Sequence, residues 1–294
     1  ALAAVATGQE PEQDPLAAIE ARAATDLDGA LEALDAVLAP RDLPLPRRRA
    51  GELLRPRLLL KAGRADEART AWDGLLRRGE EVGGELLALS GARLRIEAVP
   101  AVPGAPLHLS LSGARTGPLS LRLYRVAGAR LRAVVEADPA RGLAQHLRAP
   151  PAAALSRLAQ WDAAEPTPES PTITRSPAPL EAGTYLLTVT ARGVTLAYPV
   201  VATRALAVSR RAAGGGVLWL VDRTTGAPIA EQELRALDAD GAPGDALGRT
   251  TADGLLALSG SSARALAWVV DGAEPAPFTV DLPLALPPAS TAPP

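Results

Sequence analysis

Apolar positions along the chain follow two different periods, and the change between them falls near residue 89. Before that point Leu27, Leu31, Leu34 and Leu38 recur at helical spacing until Pro40 stops the run. Asp14 ahead of Pro15 predicts an N-cap with proline at the first helical position. Thr25, with Asp28 three residues on, predicts a start resembling a capping box for the next helix. Two more helices are predicted over Ala50–Ala62, which contains Pro56, and over Ala65–Arg78, with Gly63 between them.

After residue 89 the alternation is strand-like. Leu94, Ile96 and Ala98 alternate with Arg93, Arg95 and Glu97; Leu107, Leu109 and Leu111 follow, then Leu119, Leu121 and Leu123, and later the run Thr184 to Thr203. Such alternation predicts sandwich strands buried on one face. Residues 127–180 interrupt it, with short helices expected around Gly142–Leu147 and Ala152–Trp161 and then a proline-rich connection from Glu165 to Pro179. A connection this long is either a functional loop or a packed insertion, and Leu155, Leu158 and Trp161 argue that part of it packs.

A second β unit is predicted from about residue 205 to 285, with strands over Val217–Val221, Gln232–Leu237, Leu255–Leu258, Ala263–Val270 and Pro277–Leu282. Its turns are Thr225-Gly226, Asp240-Gly241, Asp253-Gly254 and Asp271-Gly272, where glycine supplies positive φ. The fold class is therefore multi-domain α + β: α-helical hairpins over 1–88, a β-sandwich over 89–204 with the insertion at 127–180, a second β-sandwich over 205–285, and a Pro-rich linker at 286–294.

The helical part contains an internal repeat: the segment from Asp26 to Leu34 lines up with that from Arg64 to Trp72 at a spacing of 38 residues. The stretch from Lys61, KAGRADEARTAWDGLL, resembles the tetratricopeptide repeat, with Ala68 and Trp72 in the small and aromatic positions of its second helix. A small residue lets the helices of a hairpin approach and the large one fills the groove beside it. Two hairpins are fewer than such solenoids need, so the unit is expected to act as a helical cap on its neighbour, or alternatively to offer a peptide groove.

Composition narrows the class. A 47% hydrophobic, 22% charged chain is globular, and none of its apolar runs approaches the roughly 20 residues of a membrane span. A net charge of −2, with arginines scattered among acids, gives no nucleic-acid footprint. Without cysteine neither a disulfide framework nor a zinc–thiolate site is available. Without methionine the chain is either a mature product or a piece of something longer. Ala4-Val5-Ala6 reads either as the end of a signal peptide or as helix-forming alanine.

Candidate chemistry is sparse. The two histidines, His108 and His146, have no carboxylate at metal-ligand spacing. Nucleophile-elbow, phosphate-loop and dinucleotide motifs are missing, and Gly214–Gly216 reads as a linker or turn. Asp238, Asp240 and Asp245 offer oxygens to calcium but lack a closing bidentate glutamate, so a hairpin turn is the stronger reading. Glu80-Glu81 reads as a solvated acidic pair. No catalytic, cofactor-binding, metal or thioester residue is assigned, no cofactor is expected, and the chain is expected not to be an enzyme.

Taken together the two β units resemble the N-terminal macroglobulin domains of bacterial alpha-2-macroglobulin-like proteins. Ala182-Gly183-Thr184-Tyr185-Leu186-Leu187 fills that family's first strand pattern; Asp222, Thr225, Gly226, Pro228 and Ile229 fill its TG-x-P turn; Thr251, Asp253 and Gly254 fill its hairpin, with Ala252 where an acidic residue is usual. Trp161 sits where the family often has a tryptophan before the loop. The motifs cover about residues 90–285. The turn pair alone would also suit transthyretin-like modules, and the order of the two domains favours the macroglobulin reading.

The resemblance implies a bacterial periplasmic, secreted or cell-envelope protein that traps proteases through a bait region and, in many members, a Cys-x-x-Gln thioester. Those parts are outside this chain, so it is expected to be the N-terminal scaffold of such a trap or a member working without one. Target proteases or envelope proteins are the expected partners, with no nucleic acid and no transmembrane segment. Two other readings stay open: an interaction or adhesion module that uses the helical cap or a sheet edge, and an accessory domain of an enzyme.

Overall fold

The computed structural model describes residues 14–212, 215–238, 241–258, 264–270 and 274–282. The segment Ala4–Ala6, Gly214, Asp240, the Asp271-Gly272 turn and the 286–294 tail lie outside the described residues. The chain forms two compact units that divide between Leu76 and Arg77.

The first unit holds α1 (Pro15–Arg22), α2 (Leu27–Leu38), α3 (Leu45–Lys61) and nearly all of α4 (Ala65–Arg77). Asp14 caps α1 as expected, accepting the Leu16 N–H at 3.1 Å beside Pro15. The cap of α2 is Asp26, where the sequence pattern pointed to Thr25: Asp26 Oδ1 accepts from Gly29 N–H at 2.9 Å, while the Thr25 hydroxyl turns back to the Arg22 carbonyl. Arg22 also grips the Asp26 carboxylate at 2.6 Å, and that bond, with the Gly29 amide, lowers its pKa. Helix α3 begins at Leu45 rather than Ala50 because Pro44 and Pro46 fit a helix start, where no N–H is needed. Gly51 lets α3 approach α2: a Cβ there would meet Leu38 Cδ2 at 2.8 Å. Ala30 and Leu34 on α2, and Ala68 and Trp72 on α4, are all buried.

The second unit begins with α5 (Gly83–Leu89), so this helix groups with the strands. Two sheets follow. One has the order β1-β2-β5 (Arg93–Ala98, Pro106–Ala114, Thr172–Pro179) and the other β4-β3-β6-β7 (Leu155–Ala163, Leu119–Val126, Gly183–Ala191, Val194–Ala202), with every pairing antiparallel. Leu107, Leu109 and Leu111 from the first sheet, and Leu119, Leu121, Leu123, Leu187 and Val189 from the second, are fully or almost fully buried. The alternation read from the sequence is thus the inward face of these strands.

The 127–180 region is more sheet than insertion. Leu143–Arg148 forms the expected helix, α7, and Gly128–Ala137 adds α6 before it. Ala152–Trp161, expected to be helical, contains only a short 3-10 turn at Ala152–Ala154 and then runs as β4 along β3, with Trp161 opposite Leu121. The proline-rich connection supplies β5, an edge strand on which prolines are tolerated because one side needs no ladder donors. Its register shift near Pro106 is bridged by Ser176, whose hydroxyl accepts from Leu107 N–H at 2.9 Å and donates to the Ala178 carbonyl at 2.7 Å.

Residues from 205 onward form a second sandwich: β12-β9-β8 (Leu255–Leu258, Gly215–Asp222, Ala205–Ala212) faces β11-β10-β13-β14 (Pro243–Arg249, Glu233–Leu237, Arg264–Val270, Pro275–Asp281). Five of these strands match the expected ones within a few residues; β8 and β11 are additional. Leu218, Leu220, Leu234, Leu256, Ala265 and Ala267 fill the space between the sheets. Strand β13 is buried on both faces: Ala265, Ala267 and Val269 enter that core, while Leu266 and Trp268 enter another on the outer side.

Candidate functional site

Two acidic turn residues, Asp222 and Asp238, are engaged by their own backbone. Asp222 Oδ1 accepts from the N–H groups of Thr224 at 2.8 Å and Thr225 at 2.9 Å, and the Thr225 hydroxyl accepts from Ala227 N–H at 3.2 Å. These donors, the Thr225 amide foremost, hold the Asp222 carboxyl below its ordinary pKa. Gly226, with φ of 73°, completes the turn. Asp238 similarly accepts from Ala242 N–H at 2.7 Å, and Asp245 is exposed. Among the described residues no group of three or more His, Cys, Asp or Glu is placed to hold a metal.

The two histidines are separated. His108 is exposed on β2, whereas His146 on α7 is buried, with Nε2 2.8 Å from the Asp138 carbonyl and Nδ1 without a partner. Burial pushes its pKa down. The Glu80-Glu81 pair is not simply solvated: buried Glu80 accepts from the Gln145 amide, and exposed Glu81 pairs with Arg148.

These contacts seat α7, and with α6 it fills the space between the two sandwiches. Leu131 and Val135 on α6, and Leu143 and Leu147 on α7, share one apolar cluster with Val126 and Leu186 of the first sandwich and Leu237, Leu266 and Trp268 of the second. The approach is close at Gly128, whose N–H donates to the Glu274 carboxylate; a Cβ on Gly128 would collide with the Pro275 carbonyl oxygen.

Between α6 and the outer face of β10, β11 and β13 lies a cleft of about 320 Å³. Leu266 and Trp268 line it, with Val135 and Pro139 on the helical side and Pro243 on the other. Two ion pairs flank it, Arg132 with Glu136 at 2.7 Å and Arg249 with Glu233 at 3.4 Å. Arg235 and Glu231 also line it. Sequence reasoning missed this cleft, although the unbroken apolar run ALAWVV of β13 carried a signal: a strand apolar on both faces must be covered on both.

A second surface lies on the other sheet. Leu206, Val208, Val217, Trp219 and Leu255 stand on the outer face of β12-β9-β8, each 40–50% exposed. The Trp219 indole N–H donates to the Asp253 carbonyl at 3.1 Å, which fixes the ring beside the Asp253-Gly254 turn.

No family model matches the sequence, and no curated protein matches it. Solved structures similar to part of the chain include forms of a bacterial alpha-2-macroglobulin and a transglutaminase. Native alpha-2-macroglobulin from Escherichia coli spanning domains NIE-MG1 is 13% identical, with a TM-score of 0.42, over 64% of this chain and 96% of that one. Its MG0-NIE-MG1 form is 14% identical with a TM-score of 0.41, over 64% of each chain. Red sea bream transglutaminase is 11% identical with a TM-score of 0.22, over 67% of this chain and 33% of that one. No helix among the described residues is long and apolar enough to cross a membrane.

Proposed function

We propose that the β-rich unit is a non-enzymatic scaffold holding two macroglobulin-type sandwiches in a fixed relation, as the N-terminal part of a cell-envelope protein that traps proteases. The observation that carries the scaffold reading is the apolar cluster shared by both sandwiches and the helices α6 and α7. A buried apolar junction resists the relative motion that domain pairs joined only by linkers show. The turn and strand motifs of the resemblance supply the protease-trapping part of the reading.

The scaffold is tested with spin labels, for which the absence of native cysteine is convenient. Labels at Arg122→Cys and Val270→Cys, exposed positions in the two sandwiches, should give one narrow distance distribution. A broad distribution refutes a fixed relation. Trapping is tested on the longest native polypeptide that contains this sequence. Trypsin should cleave it at a limited region and change its shape by sedimentation and native mass; cleavage with no change of shape rejects the trap.

The apolar outer face of β12-β9-β8 favours a second reading, in which this sheet or its β8 edge binds another envelope protein.

A further inference from the structure

Strand register lays out the outer face of β12-β9-β8 in rows. Val208, Trp219 and Leu255 stand side by side across the three strands, with Arg210, Val217 and Ala257 in the row on one side and Leu206 in the row on the other. Leu218, Leu220 and Leu256, on the opposite side of the same strands, fill the sandwich core. The three-stranded sheet of the first sandwich differs. It turns Arg95, Glu97, His108 and Arg175 outward and has Ile173 as its one exposed large apolar strand residue. A contiguous exposed apolar face of the β12-β9-β8 kind marks an interaction surface.

Two charges bracket this face. Arg210 is exposed at one corner, on β8. Asp253 is exposed at the diagonally opposite corner, on the turn before β12, and its carbonyl takes the Trp219 indole N–H at 3.1 Å. Neither side chain forms an ion pair among the described residues.

Opposite signs at opposite corners, with Trp219 between them, make the face complementary to itself. Consider a two-fold axis lying against the face over Trp219, perpendicular to the line from Arg210 to Asp253. It sets Trp219 on the partner's Trp219, Leu206 on the partner's Leu206 and Val217 on the partner's Leu255, and it brings each Arg210 to the partner's Asp253. The strands of the two sheets then cross at near right angles, one of the two ways in which sheets stack.

We propose that the outer face of β12-β9-β8 joins a second copy of this chain in a symmetric, weak and reversible dimer. With strands about 5 Å apart and rows about 7 Å apart, the face covers a few hundred Å². That is less than the roughly 800 Å² per partner of a standard interface, which places the dimer in the weak class. A net charge of −2 over 294 residues opposes the approach of two copies only slightly. The proposal rests on the surface named in the second reading above, gives it a different occupant, and is independent of protease trapping.

Sedimentation equilibrium of the full 294-residue chain, from about 5 μM to about 1 mM, should show monomer and dimer in exchange with Kd near about 0.1 mM. Arg210→Glu and Asp253→Arg, both at exposed positions, should leave melting unchanged and each weaken self-association about tenfold, because each sets like charges together twice per dimer. Mixed in equal amounts, the two variants should pair with each other about as tightly as the unaltered chain, since both corner contacts then join opposite signs. Val208→Glu, which puts a carboxylate into the apolar row while its melting curve reports an intact fold, should abolish the dimer. A chain that stays monomeric to about 1 mM overturns the proposal and leaves a different partner for the face. A dimer that survives Val208→Glu, or charge variants that self-associate as the unaltered chain does, also overturns it.

Discussion

The Tyr185 hydroxyl donates to the Glu181 carbonyl oxygen at 2.9 Å, closing the bend that feeds the chain into β6. The ring itself is buried, so the bond forms where water competes poorly, and burial raises the pKa of the phenol. The arrangement is a tyrosine corner, a device that fixes the entry to a sandwich strand. It gives the Gly-x-Tyr pattern a physical reason: the aromatic ring packs in the core while its polar end ties down the preceding loop.

Tyr185→Phe keeps the ring and removes only that bond. The expected cost is about 1 kcal/mol, the net contribution of one intramolecular hydrogen bond. For a unit of this size that is a drop of roughly 2–4 °C in Tm, measured by calorimetry. An unchanged Tm would mean the bend is held by its other contacts.

Gly128→Ala tests the junction between the sandwiches. The added methyl meets the Pro275 carbonyl, which is backbone and cannot swing aside. Overpacking of this kind costs about 1–3 kcal/mol, and here it should also widen the distance distribution between labels placed on the two sandwiches. Ala127→Gly, one residue earlier, removes a methyl without adding a clash and should leave that distribution narrow.

Asp222 should matter most in acid. Its carboxyl is held below the ordinary value of 3.8 by backbone donors, led by the Thr225 amide. The folded form therefore binds its proton less readily than the unfolded chain. The resulting stability is present above about pH 4 and is lost as pH falls through the folded-state value. Asp222→Asn, which keeps an acceptor and removes the charge, should lower Tm at pH 7 slightly and approach the unaltered chain as pH falls from about 4 to about 2, so that its own acid slope is flatter. An unaltered acid slope would sink this account.

What the sequence disclosed follows from the range of the interactions involved. Leu107, Leu109 and Leu111 betrayed a one-sided strand through local alternation, and Gly226 and Gly254 betrayed turns through positive φ, because both signals reside in neighbouring residues. Leu155, Leu158 and Trp161 misled for the same reason. Their spacing suits a helix, but the segment's partners lie on β3, from 29 residues away at Leu155↔Val126 to 44 at Ala163↔Leu119. The cleft was less legible still. Arg235 and Glu231 look like ordinary surface charges until α6, about a hundred residues earlier, walls off the space above β13.

His146 predicts the pH dependence of the junction near neutrality. With Nε2 facing the Asp138 carbonyl, the proton of the neutral ring belongs on Nε2, and Nδ1 is left bare in a buried site. Protonation would place an N–H at Nδ1 with no acceptor, in addition to burying a charge beside Arg141, so the folded-state pKa lies below 6.5. The unfolded chain then takes up the proton first. Stability should be complete above about pH 7, decline as pH drops through 6.5, and level off below the folded-state value. His146→Gln cannot titrate, so its stability should be flat from pH 7.5 to pH 5 where the unaltered chain declines, as read from urea midpoints at fixed salt. If both chains give the same profile, the ring titrates freely and α7 is less firmly packed than the apolar cluster around Leu143 and Leu147 requires.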